Sequence, residues 1–246
     1  MLIELENGGN IRFDEATVNS PYFETCLELI QSRFTSPDFE SFGFNNVRVI
    51  RISKLHNRSL RNQFEEAVEA EMEDADDDIK PYVEYLICAP IPGAAEDIIG
   101  ISEVGYPTVD QMRKANLDGA IPCSSSLFAL EQKRIQHILG DHSSLLTKAD
   151  VSGQLLICRV FTGENCLETE RSVPVGSVVP DPPHWTLDFA LMGRPTKPAI
   201  TEEGFEDVHS VSRMHADGKR KIVFVLDNKL VLPEYIVDID YAESAD

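Results

Sequence analysis

The stretch KIVFVLDNKLVLPEYIVDIDY, from Lys221 to Tyr241, constrains the fold more than any other part of the chain. It reads as two β-strands. The first is the apolar run Ile222, Val223, Phe224, Val225 and Leu226. Asp227 and Asn228 break that run, and Pro233 precedes the second strand, Tyr235, Ile236 and Val237, followed by the alternation Asp238, Ile239, Asp240. Strands this apolar must be covered, so the rest of the chain has to supply the strands beside them and the helices above them.

The remaining pattern supplies both. A strand is expected at MLIEL, followed by a turn at Gly8-Gly9 and an edge segment. SPYFETCLELIQSRF opens with Ser20-Pro21, a helix-start signal, and places Phe23, Cys26, Leu27 and Ile30 at helical spacing. VRVIRISKL, rich in β-branched residues, reads as a strand with Ile50 and Ile52 on one face and Val47 and Val49 on the other. Both faces are partly apolar, which predicts a position inside a sheet packed on each side. RSLRNQFEEAVEAEM predicts a helix with Leu60, Phe64, Val68 and Met72 on its inner face. YVEYLICAP reads as a strand ending at Pro90. AAEDIIGISEVGYP predicts a short helix running into a Gly-Tyr-Pro turn, and SSLFALEQKRIQHIL a longer one with Leu127, Leu130, Ile135 and Ile138 as core. QLLICRVFTGE is a strong strand. From Cys166 to Ile200 the chain is Pro-rich and poorly periodic, and reads as a long ordered loop anchored by Trp185. Helices early and strands late predict an α+β fold with a largely antiparallel, partly split sheet.

Composition sets the functional limits. The formal net charge is -20, and a surface that negative disfavours binding to nucleic acid or to anionic lipid. The five cysteines (Cys26, Cys88, Cys123, Cys158 and Cys166) are odd in number and hold no CxxC spacing. Reduced intracellular thiols are therefore expected rather than a disulfide framework or a zinc knuckle. The first residues lack a signal-peptide pattern, and no apolar stretch approaches the length of a membrane span. These features predict an intracellular protein, cytoplasmic or nuclear.

Four segments, taken in order, resemble the poly(ADP-ribose) polymerase (PARP) catalytic domain. VRVIRISKLHNRSLRNQFEEAVEAEM, with Ile52, Leu55, Asn57, Leu60 and Phe64, resembles that family's opening strand and helix. QLLICRVFTGEN, with Cys158, Arg159, Val160 and Gly163, resembles its "L-L-x-C/A-R-V-x-x-G" strand. GFEDVHSV resembles its "G-Y/F-D/H-S-V-x-G" segment, and Lys221–Tyr241 its closing hairpin. The resemblance covers roughly residues 47 to 241. It implies an ADP-ribosyltransferase-type split sheet, a domain over 47–246 preceded by a strand and helix extension over 1–46 within one globular unit, and a final hairpin completing the sheet and buried on both sides.

The resemblance also implies where to look for chemistry. In the family, NAD lies between two half-sheets. A histidine holds a ribose hydroxyl, the next glycine holds the nicotinamide amide, a tyrosine stacks on the nicotinamide, and a glutamate assists transfer. Here Cys88 stands at the histidine position, Ala89 at the glycine and Pro90 at the following threonine or serine. Pro122 stands at the tyrosine and Ile222 at the glutamate, while Lys133 to Ile135 replace a second stacking tyrosine. A thiol is a weak donor and acceptor, alanine crowds a close backbone approach, and proline offers no stacking surface. Two functions follow. One is a catalytically degenerate domain, a pseudoenzyme of the glycosyltransferase class, acting as a protein-interaction or scaffold module. The other is a divergent mono-ADP-ribosyltransferase that uses NAD to modify proteins. Neither reading calls for a metal. His184, beside Trp185, is a candidate substitute histidine, and Glu234 a candidate acid/base whose Pro-Glu-Tyr context reads as structural.

Overall fold

A computed structural model describes residues 11–17, 19–73, 83–88, 98–114, 120–141, 151–162, 166–173, 210–215 and 221–243. Nine strands among them form one sheet: β1 (Ile11–Glu15), β2 (Phe44–Asn57), β3 (Val83–Cys88), β4 (Ile121–Ser124), β5 (Ser152–Phe161), β6 (Cys166–Val173), β7 (Ser210–His215), β8 (Lys221–Val225) and β9 (Val231–Glu243). Their order is β1-β2-β9-β5-β3-β4-β8-β7-β6. Every neighbouring pair is antiparallel except β6 with β7, which run parallel. The helices are α1 (Pro21–Arg33), α2 (Ser36–Phe39), α3 (Arg58–Glu73), α4 (Ile98–Val104), α5 (Val109–Lys114) and α6 (Leu127–Asp141). The fold is α+β, a mostly antiparallel sheet with flanking helices.

The described pairing is shortest between β3 and β4. Five strands, β1 to β3 in sheet order, make one half, and β4, β8, β7 and β6 make the other. Within the described residues the halves are registered only at Ile87 opposite Ser124 and Cys88 opposite Cys123. Helices cover both faces. On one face α3, α4 and α5 pack Phe64, Ile101 and Met112 against Leu86, Leu156, Val223 and Ile236. On the other, α1, α2 and α6 pack Cys26, Ile30, Phe39, Leu127 and Ile135 against Val47, Ile52, Ile157 and Val237. Leu60, Val68 and Met72 border the first cluster, and Leu130 and Ile138 the second, as the helical spacing predicts. Phe39 anchors the second layer. It stacks on Tyr241 at 5.4 Å and meets Phe128 edge-on at 5.3 Å.

Local chemistry explains the boundaries. Pro21 occupies the first turn of α1, where its missing N–H costs no helical hydrogen bond. Asn57 ends β2 and starts α3: its Oδ1 accepts from the Leu60 N–H at 3.1 Å, the geometry of an N-cap. The same side chain is buried, and its Nδ2 donates to the carbonyls of Ser102 (3.0 Å) and Glu103 (2.9 Å). One asparagine thus ties the head of α3 to the tail of α4. Gly105 ends α4 with a φ of 84°, and its N–H donates to Ile101 O at 2.9 Å.

The structure corrects three expectations. The two C-terminal strands do not form a hairpin with each other. β8 lies between β4 and β7, whereas β9 inserts between β2 and β5. Both runs are apolar because each is internal to its own half. On β9, however, Asp238 and Asp240 face partly toward solvent and pair with Arg51 (2.7 Å) and Arg48. Second, Ile50 does not share a face with Ile52. A register shift between Val49 and Arg51 leaves Ile50 61% exposed while Val47 and Ile52 both enter the second cluster. Third, Cys166–Val173 is strand β6, not loop, and its pairing with β7 is parallel. The remainder of that segment, including Trp185 and His184, and the MLIEL strand lie outside the described residues. The elements ahead of residue 47 pack with the rest: β2 starts at Phe44, β1 pairs along β2, and α1 and α2 supply core side chains.

Candidate functional site

The positions singled out by the sequence gather where the two half-sheets meet. Cys88 is the last residue of β3, Pro122 lies in β4 and Ile222 in β8. Ala89 lies outside the described residues. Register fixes which side each occupies. Cys88 is directly opposite Cys123, and Ile222 directly opposite Ser124. Successive residues of a strand point to opposite faces, so Cys123 and Ser124 define the two sides. Cys88 and Cys123 join the cluster beneath α3, α4 and α5. Ile222 joins Ala120 and Phe224 in a small cluster bordered by Ala129 and Leu226. Pro122, opposite Phe224, shares that face.

The site is thus not one cleft with three lining groups. Cys88 and Ile222 are on opposite sides of the sheet, and both are closed off: Cys88 is 0% exposed and Ile222 3%. Pro122 is half-buried and has no N–H to give.

On the Cys88 side, the chemistry is that of neutral thiols. Cys88 Sγ and Cys123 Sγ are 2.7 Å apart, closer than the van der Waals separation of two sulfurs. Cys158 lies beside them in the same cluster, and all three are free and buried. Burial pushes the Cys88 thiol well up, with hydrogen bonding to Cys123 and Cys158 adding to the effect. Cys123 is also raised by burial, opposed by the hydrogen bond with Cys88. The Tyr106 phenol, buried in the same place, is raised by burial and then by Cys158. Such thiols are poor nucleophiles at neutral pH. Among the described residues, no three His, Cys, Asp or Glu side chains are placed to hold a metal ion.

Glu234 is engaged elsewhere. It is the extra residue where β9 slips against β5, since Ile157 opposes Tyr235 while Cys158 opposes Pro233. Its side chain is 6% exposed. One oxygen meets Arg61 at 3.1 Å and Arg159 at 3.7 Å, and the other accepts from the Tyr85 hydroxyl at 2.9 Å. Arg159 also lies 5.2 Å above the Phe64 ring. With both oxygens taken by two guanidinium groups and a phenol, Glu234 acts as the hub joining α3, β3, β5 and β9. Sequence reading found Glu234 and Arg159 but not Arg61 or Tyr85. The thiol pair escaped it as well, because the register of β3 against β4 is a non-local property with no trace in the local pattern.

No protein-family model matches the chain. No helix among the described residues is long and apolar enough to cross a membrane.

Proposed function

We infer that the chain is a PARP-like domain whose cofactor site is degenerate and that it serves as a protein-interaction or scaffold module. The observation that carries this reading is the placement of Cys88 and Ile222. Family chemistry needs the groups at these positions to converge on one NAD molecule, and here they are buried on opposite faces of the sheet. The split sheet goes with an ADP-ribosyltransferase-type fold, with β8 and β9 internal to its two halves. A protein partner fits the charge better than nucleic acid does, because a net charge of -20 opposes a phosphate backbone. An intracellular site, cytoplasmic or nuclear, goes with four free buried thiols.

Calorimetric titration with NAD tests the reading, together with incubation of the protein and a lysate with labelled NAD. The expected outcome is no saturable heat and no label transferred. Saturable NAD binding, or robust label on the protein or a partner that disappears in a Cys88→Ala variant, would replace this reading with a divergent mono-ADP-ribosyltransferase.

A further inference from the structure

Three buried thiols meet at the seam of the sheet, and the function above uses none of them. Cys88 and Cys123 are a directly registered antiparallel pair, one from each half-sheet. Their sulfurs touch at 2.7 Å. Residues opposite each other in such a pair have Cβ atoms about 4.5–5.5 Å apart, and a disulfide needs about 3.5–4.5 Å, so a small approach of β3 and β4 suffices. Cys158 is on β5, opposite Leu86, so it is a diagonal neighbour of Cys88 rather than its cross-strand partner. Cys26 is in the other core cluster.

We propose that Cys88 and Cys123 form a reversible cross-strand disulfide site, closed by peroxide-class oxidants and reopened by small thiols, that staples the two half-sheets together. The chemistry balances in two steps. The sulfur of Cys123 attacks one peroxide oxygen, the O–O bond breaks, and the products are a sulfenic acid and one water. The Cys88 sulfur then attacks the Cys123 sulfur, the S–OH bond breaks, and a second water leaves carrying the Cys88 proton. Two thiols lose two electrons and two protons, and one peroxide takes them. The same two steps balance with the two sulfurs exchanged, since burial raises both thiols. Burial of both groups makes the reaction slow and gated by local opening of the seam, unlike that of an exposed sensor thiol.

The test uses the whole chain, treated with hydrogen peroxide in native buffer, quenched with an alkylating agent and digested without reductant. Peptide mass spectrometry should find Cys88 linked to Cys123, with the link lost on adding dithiothreitol. The oxidised protein should melt about 5–10 °C higher than the reduced protein. A Cys158→Ser variant should still form the link. The proposal is overturned if Cys88 and Cys123 are recovered separately alkylated, if Cys88 is linked to Cys158 instead, or if only sulfinic and sulfonic acids appear. The NAD measurements above do not bear on this result, so either reading can fail alone.

Discussion

Ile222 is the residue at which fold and chemistry conflict most directly. A glutamate placed there would exchange an isoleucine packed on Ala120, Phe224 and Leu226 for a carboxyl at a 3% exposed position. Keeping that carboxyl neutral at pH 7 costs about 3–4 kcal/mol. Ile222→Glu is therefore expected to lose at least about 3 kcal/mol in urea melts at about pH 7 and to transfer no ADP-ribose. The folded pKa of the new carboxyl is raised, so the deficit must shrink as pH falls toward its unfolded value of about 4.3. Melts at about pH 5 check that sign. Cys26 and Tyr235 are among the native groups that make the protein sensitive to alkali. Burial, then the Glu234 charge, pushes the Cys26 thiol up from 9.0 to about 12, with Lys54 opposing. Burial, then Glu234, raises the Tyr235 phenol from 10.0 to about 12. Their contribution is fully present below pH 9 and is lost as pH rises through about 12, because the unfolded chain ionises first. Urea midpoints should hold steady to about pH 9 and then decline, and a Cys26→Ala variant should decline less steeply, with Cys88 and Cys123 still setting the onset.

At the scale of elements, Gly105 gives the clearest expectation. Its left-handed backbone disfavours any side chain, and a Cβ there would sit 3.0 Å from Leu60 Cδ2. Gly105→Ala should cost about 1–2 kcal/mol, read as a lower denaturant midpoint at unchanged slope. The elements also show what a sequence reveals. Helices α3 and α6 were legible because each turns one apolar stripe to the sheet, and Phe64, Leu127 and Ile135 fall on it. β2, β3, β5, β8 and β9 were legible as strands from their apolar, β-branched runs. β4 was not: it is four residues long and contains a proline. β6, whose sequence is CLETERSV, carries too few apolar residues to signal a strand. Ile50 was misassigned because one inserted residue reverses the alternation, and no local pattern announces a bulge. The site was readable only as substitutions. Cys88, Pro122 and Ile222 could be named, but whether they face one another depends on the register between distant strands.

At the scale of the molecule, chain order and sheet order disagree. β8 and β9 are joined by a few residues, yet β4, β3 and β5 stand between them in the sheet. A chain truncated before Val231 should lose cooperative unfolding altogether, as seen by circular dichroism melts, because β1 and β2 have no neighbour but β9 to connect them with β5. A ribosome releases the chain from its N-terminus, so β2 emerges with its bonding edge open and waits through about 170 further residues for β9 to be made. During that interval the nascent protein exposes an unpaired strand edge and is at its most dependent on chaperones.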